Sequence, residues 1–140
     1  PPLAHAGPAL VFCWSLFGRR CRGEFPHRLS LAKRYSARGL WMAAVNVDAG
    51  KLRPAAARFT SGKGRGMTFL FDSSPDGKGT GAAGTFGVHH TPSTFLLDSE
   101  GKVFASFIGE VSAEALEEEI LQLLSTPPGA APPARSDTTP

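Results

Sequence analysis

The run Leu10-Val11-Phe12-Cys13-Trp14 is apolar at every position. A strand with one wet face alternates in polarity, so a short unbroken run marks a central strand buried on both sides. A second such run, Leu40 to Val47, follows and is closed by Asn46 and Asp48. Between the two, Phe25, Leu29, Ala32 and Tyr35 recur at helical spacing, while Lys33, Arg34 and Arg38 are expected to stay in water. That helix is expected to start near Cys21, to kink at Pro26 and to end at Gly39. Two buried strands joined by a helix form a parallel pair.

The remaining pattern extends this unit. Pro54 to Phe59 is Ala-rich with Pro in its first turn, a short helix. Met67 to Phe71 reads as a strand, and the turn-rich stretch Asp72 to Gly84 leaves at most a weak helix near Ala82 to Phe86. Ser93 to Leu97 and Lys102 to Ile108 flank the turn Asp98-Ser99-Glu100-Gly101 and read as a hairpin. Ser112 caps a last helix with Glu114 in its first turn. Leu116, Ile120, Leu123 and Leu124 form its apolar stripe, and Glu117, Glu118 and Glu119 are expected to face water. The order predicts an α/β sandwich, a central mixed sheet with helices on both faces.

Composition fits one such domain. A chain of 140 residues with 41% hydrophobic content can bury roughly two-thirds of its unfolded surface. Eight of the twelve prolines lie at the two ends, which predicts a flexible segment over 1–8, a folded unit over 9–125 and a Pro/Ala-rich tail or linker over 126–140. The chain begins Pro-Pro rather than Met, as expected of a mature chain or a piece of something longer. No run approaches the ~20 apolar residues of a membrane helix. The net charge of +3 is spread along the chain without interleaved aromatic residues, which argues against a nucleic-acid partner.

Three stretches resemble the thioredoxin superfamily, specifically its TlpA/ResA-like redoxin branch. Leu10 to Trp14, then Ser15-Leu16-Phe17-Gly18-Arg19-Arg20-Cys21, then Arg22-Gly23-Glu24-Phe25-Pro26, is similar to the family's Phe-Trp-Ala-x-Trp, Cys-x-x-Cys and Arg-x-Glu-x-Pro. Val45-Asn46-Val47-Asp48 resembles its second core strand. Gly87 to Asp98, with His89-His90-Thr91-Pro92-Ser93-Thr94, resembles Gly-Val-x-x-x-Pro-Thr-Thr-Phe-Leu-Ile-Asp. The resemblance implies a thioredoxin-like three-layer sandwich with Thr91 and a cis Pro92 beside the cysteine pair. Members of this branch are mostly extracytoplasmic, which implies a periplasmic or secreted location.

Aligned on Trp14 and Pro26, Gly18 occupies the place of the family's attacking cysteine and Cys21 that of the resolving one. Exchange on a substrate needs one thiolate to attack and a second thiol to release the mixed disulfide. The resemblance therefore implies at most one-cysteine chemistry, with Cys21, Thr91 and Pro92 as the catalytic positions. Trp14, Phe17, Gly18, Arg19, Arg20, Glu24 and His90 would shape the binding surface. Cys13 is either a small buried hydrophobe or a partner for Cys21. A helix N-terminus and Arg19, Arg20 and Arg22 favour a Cys21 thiolate, while burial opposes it. The spacing is also similar to the Thr-x-x-Cys of peroxiredoxins, with Gly18 in place of the Thr, which implies a one-cysteine peroxidase as a further alternative.

Other features carry less. His89 and His90 match no zinc spacing, so no metal is expected. Gly62 to Gly66 and Gly77 to Gly81 lack the G-x-x-x-x-G-K-[ST] pattern, and no cofactor is expected. Glu24 reads as a local base or as a first-turn acid stabilising its helix. Two functions stand side by side: redox exchange through Cys21 with a protein thiol or disulfide, and peptide capture without catalysis. A monomer is expected for either.

Overall fold

The computed structural model describes residues 7–48, 50–62, 66–72 and 90–126. Within them the chain forms β1 (Ala9–Trp14), α1 (Arg19–Tyr35), β2 (Trp41–Asn46), α2 (Arg53–Thr60), β3 (Met67–Phe71), β4 (Ser93–Leu97), β5 (Val103–Ile108) and α3 (Ala113–Ser125). The strands lie in the order β3-β2-β1-β4-β5. β1, β2 and β3 are mutually parallel, β4 runs antiparallel to β1, and β5 antiparallel to β4. The expected helix near Ala82 to Phe86 lies outside the described residues.

The apolar run of β1 divides cleanly between the two sheet faces. Leu10, Phe12 and Trp14 join one buried cluster with Phe25, Leu31 and Ala32 of α1, Ala56 of α2, and Leu116 and Ile120 of α3. Ala9, Val11 and Cys13 join a second cluster with Ala43, Val45, Phe95 and Leu97. This alternation is the period-two geometry of a strand, and both faces are buried because β1 is the middle strand. Trp14 packs edge-on against Phe25 with ring centroids 4.9 Å apart, and Phe59 of α2 lies 5.4 Å from both rings.

α1 starts at Arg19, two residues before the expected Cys21, and the helix continues through Pro26 to Tyr35. A short 3-10 turn, Ser36 to Arg38, follows, and Gly39 closes it with a φ of 91°. That left-handed conformation strains any residue with a Cβ, which is why glycine stands there. The buried stripe of α1 also differs from the expected one. Leu29 is partly buried, whereas Leu31 and Arg28 are fully buried.

Arg28 reaches the core with its charge answered. Its Nη2 donates to Glu24 Oε1 at 2.7 Å, its guanidinium lies 5.2 Å from the Phe12 ring centroid, and Nη1 pairs with His27 Nδ1. The three consecutive glutamates of α3 require a correction. Glu117 is half-buried and accepts from Arg34 and Tyr35 of α1, and Glu119 is 7% exposed, so Glu118 is the one that faces water freely. A single helical face cannot carry three successive residues, because each step rotates by about 100°.

Parallel strands place their carboxyl ends on one edge of the sheet. The segment after β1, Ser15 to Gly18, and the first turn of α1 therefore share an edge with the segment after β2, with His90 to Pro92 before β4, and with Gly109 and Glu110 after β5. Loops at the carboxyl ends of parallel strands are where such sheets bind and react.

Candidate functional site at the carboxyl edge of the sheet

Ser15 to Gly18 forms a tight turn, with the Gly18 N–H donating to Ser15 O at 3.1 Å. Asp48, two residues past β2, fastens it: Oδ1 accepts the Ser15 hydroxyl at 2.7 Å, and Oδ2 accepts the Leu16 N–H at 2.7 Å. Asn46 orients that carboxylate by donating Nδ2 to Oδ2 at 2.9 Å, and its Oδ1 accepts the Asp48 N–H. The carboxylate thus answers donors from three residues, which fixes the start of α1 against the sheet.

Cys21 lies in the first turns of α1 and is 0% exposed. Its Sγ accepts the Ser15 N–H at 3.5 Å and a hydrogen bond from the Thr91 side chain. Thr91 precedes Pro92 through a cis peptide bond, and Pro92 is buried. Burial raises the Cys21 thiol above its ordinary range; the bonds from Ser15 and Thr91 oppose this, and the charges of Glu24 and Asp48 reinforce it. Burial is the largest of these influences on the sulfur. Arg19, Arg20 and Arg22 stand in water, and Arg20 Nε pairs with Glu110 at 2.9 Å.

Gly18 is the N-cap residue just before α1, with extended backbone at φ −76° and no side-chain cap. A Cβ built there would lie 2.8 Å from Cys21 Sγ. This is too close for an ordinary contact. It is near the ~3 Å that separates one residue's Cβ from the other's sulfur across a disulfide, whose S–S bond is about 2.05 Å.

Cys13 occupies the opposite face of the sheet, 0% exposed, and is a free thiol like Cys21. Its pKa is pushed up to about 12, mainly by burial and then by the charges of Asp72 and Cys21. Of the two readings of Cys13, the buried hydrophobe is the one this placement supports. Trp14 is 1% exposed and packs into the core, so it supports the site from beneath and presents no surface. Phe17 is the reverse, 70% exposed at the tip of the turn. Glu24 turns away from solvent: besides Arg28 it accepts the Val111 N–H at 3.1 Å, tying α1 to the approach of α3. Burial raises the Glu24 carboxyl above its ordinary range although Arg28 pulls it down.

The structure thus brings Gly18, Cys21, Thr91 and Pro92 together, with Phe17, Arg19, Arg20 and His90 exposed around them. His89 lies outside the described residues. Sequence reading missed Asp48 and Arg28. Asp48 had a visible cue, a polar Asn-x-Asp at the end of a buried strand beside the edge where loops gather.

A mixed sheet of this order, with a cysteine at the start of the helix after the central strand and facing the Thr91–Pro92 bond, defines a thioredoxin-like domain. Comparison with solved structures agrees. A Chlorobium tepidum protein assigned as thiol:disulfide interchange protein DsbE matches with a TM-score of 0.72 and 30% identity, over 85% of this chain and 81% of that one. StoA from Bacillus subtilis matches in fold, with a TM-score of 0.69 at 18% identity over 85% of this chain and 86% of its own. Among curated proteins, the thiol-disulfide oxidoreductases ResA of Bacillus thuringiensis (strain Al Hakam) and Bacillus anthracis are each 31% identical over 104 residues, 74% of this chain. The chain spans 56% of the length of those relatives. No family model matches it. The chain belongs to the thioredoxin superfamily, in the redoxin branch of ResA- and DsbE-like thiol-disulfide oxidoreductases.

Proposed function

We propose that this domain is a thiol-disulfide oxidoreductase homologue in which Gly18 holds the attacking cysteine's place, so that redox chemistry is limited to Cys21. The observation that carries this is the 2.8 Å between a Cβ at Gly18 and Cys21 Sγ. That separation is close to the ~3 Å between one residue's Cβ and the other's sulfur in a disulfide, which supports the reading. A single thiolate can attack a partner disulfide, forming Cys21–S–S–R and releasing R–S⁻. Resolution then needs a second thiol. Cys13 is on the far face of the sheet, so the resolving thiol must come from another molecule.

A second reading, protein or peptide capture without catalysis, is favoured by the burial of Cys21 and its raised pKa, both of which hold the sulfur as an unreactive thiol. A protein thiol or disulfide as partner, an extracytoplasmic place of action and a monomeric state belong to the first reading. No described helix is long and apolar enough to cross a membrane.

Titration of the native protein with a chromogenic aromatic disulfide, across pH 6 to 9, separates the two. One thiol reacting in the native state, absent in Cys21→Ser, supports one-cysteine exchange. No reaction until denaturant exposes both thiols removes it and leaves capture.

A further inference from the structure

The charges around this edge are unevenly distributed. Arg19, Arg20 and Arg22 stand on the first turn of α1, and Lys51 and Arg53 follow β2, all exposed. The carboxylates nearby are spent elsewhere: Asp48 on the turn, Glu24 on Arg28 and Val111, and Glu110 on Arg20. Among the described residues, Arg19, Arg22 and Lys51 have no carboxylate in ion-pair contact. Phe17, two residues before Arg19, is the most exposed of the large apolar side chains described.

These cations do not serve the helix. α1 has no acidic residue in its first turn and no side-chain cap, and positive charges there oppose the helix dipole. α3 shows the stabilising arrangement instead, with Ser112 capping the Ala115 N–H and Glu114 in the first turn. A local rule broken on the partner-facing edge of a domain marks a functional demand.

We propose that this edge docks an acidic peptide segment, an apolar side chain resting on Phe17 and flanking carboxylates meeting Arg19, Arg22 and Lys51. An anionic partner answers the unpaired guanidinium groups, which bind carboxylates through paired N–H donors, and the exposed ring supplies the apolar anchor. This rests on the reading of the edge as the partner-facing side, and it names the partner's chemistry. Electrostatic complementarity of this kind sets specificity and association rate and fades with salt.

The test uses two short labelled peptides without cysteine, a central Leu flanked by Glu in one and by Lys in the other, with binding read by fluorescence anisotropy. The Glu peptide is expected to bind roughly tenfold or more tightly than the Lys peptide and to lose that advantage near 0.3 M salt. Arg19→Glu/Arg22→Glu should abolish the preference while leaving the melting temperature equal or higher, since acids suit a helix start. Phe17→Ala should weaken the Glu peptide severalfold. Equal binding of the two peptides, no binding of either, or a preference that survives charge reversal would overturn the proposal. So would binding to phosphatidylglycerol vesicles in place of the peptide. The peptides carry no sulfur, so failure here leaves the thiol titration of Cys21 to stand or fall by itself.

Discussion

Asp48 accepts the Ser15 hydroxyl at 2.7 Å across the gap between the second strand and the turn that starts the first helix. With the Leu16 and Asn46 donors on its other oxygen, it is the anchor of that turn. Asp48→Ala strands several donors at once and is expected to cost about 2–4 kcal/mol in urea unfolding, with Asp48→Asn losing about half as much. A loss below the error of the measurement for Asp48→Ala would show that the turn holds itself.

The buried pair of Glu24 and Arg28 behaves differently when broken than when replaced. Glu24→Ala leaves a guanidinium buried without a carboxylate and is expected to destabilise by about 3 kcal/mol or more. The double variant Glu24→Leu/Arg28→Met should recover most of that loss, because an apolar pair of similar size carries no desolvation cost. Chemical denaturation of the three proteins decides it.

Cys13 sets an alkaline limit. Its thiol is neutral in the folded protein up to about pH 12, but in the unfolded chain it ionises near its ordinary value of 9.0. The unfolded state therefore binds fewer protons between these values, and stability present below pH 9 falls as pH rises through that window. Urea midpoints from pH 8 to 10.5 should fall more steeply for the wild type than for Cys13→Ala. Parallel slopes would contradict the burial of this sulfur.

Gly18 is kept small by Cys21 and not by its backbone, whose φ of −76° any residue adopts. Gly18→Ala pushes a methyl against the sulfur and should destabilise by about 1–3 kcal/mol. Cys21→Ala should remove the penalty in the double variant. Additive losses in that cycle would place the Gly18 side of the helix elsewhere.

The sheet was legible because buried central strands write themselves as unbroken apolar runs, and β3 and β4 match the expected Met67 to Phe71 and Ser93 to Leu97. The seat of Cys21 was legible from its place in a motif that resembles a known family. Arg28 was not, because a charged residue at helical spacing reads as wet until Glu24 and the Phe12 ring are known to meet it. Glu117 and Glu119 misled for the same reason. Trp14 lay on the quoted motif but faces the core, since alternation along β1 decides its direction and a motif does not. Asp48 acts on residues 32 and 33 positions earlier, a contact that only the parallel pairing of β1 and β2 creates.

The reduction of insulin disulfides by dithiothreitol, followed by turbidity, compares the wild type with Gly18→Cys most directly. Background rates are expected for the wild type, and a gain of about tenfold or more for the variant, because a Cβ at position 18 lies 2.8 Å from Cys21 Sγ. Strong turnover by the wild type, or a Gly18→Cys protein whose introduced sulfur forms no bridge to Cys21 on oxidation, would contradict the assignment of Gly18 to the missing sulfur's place.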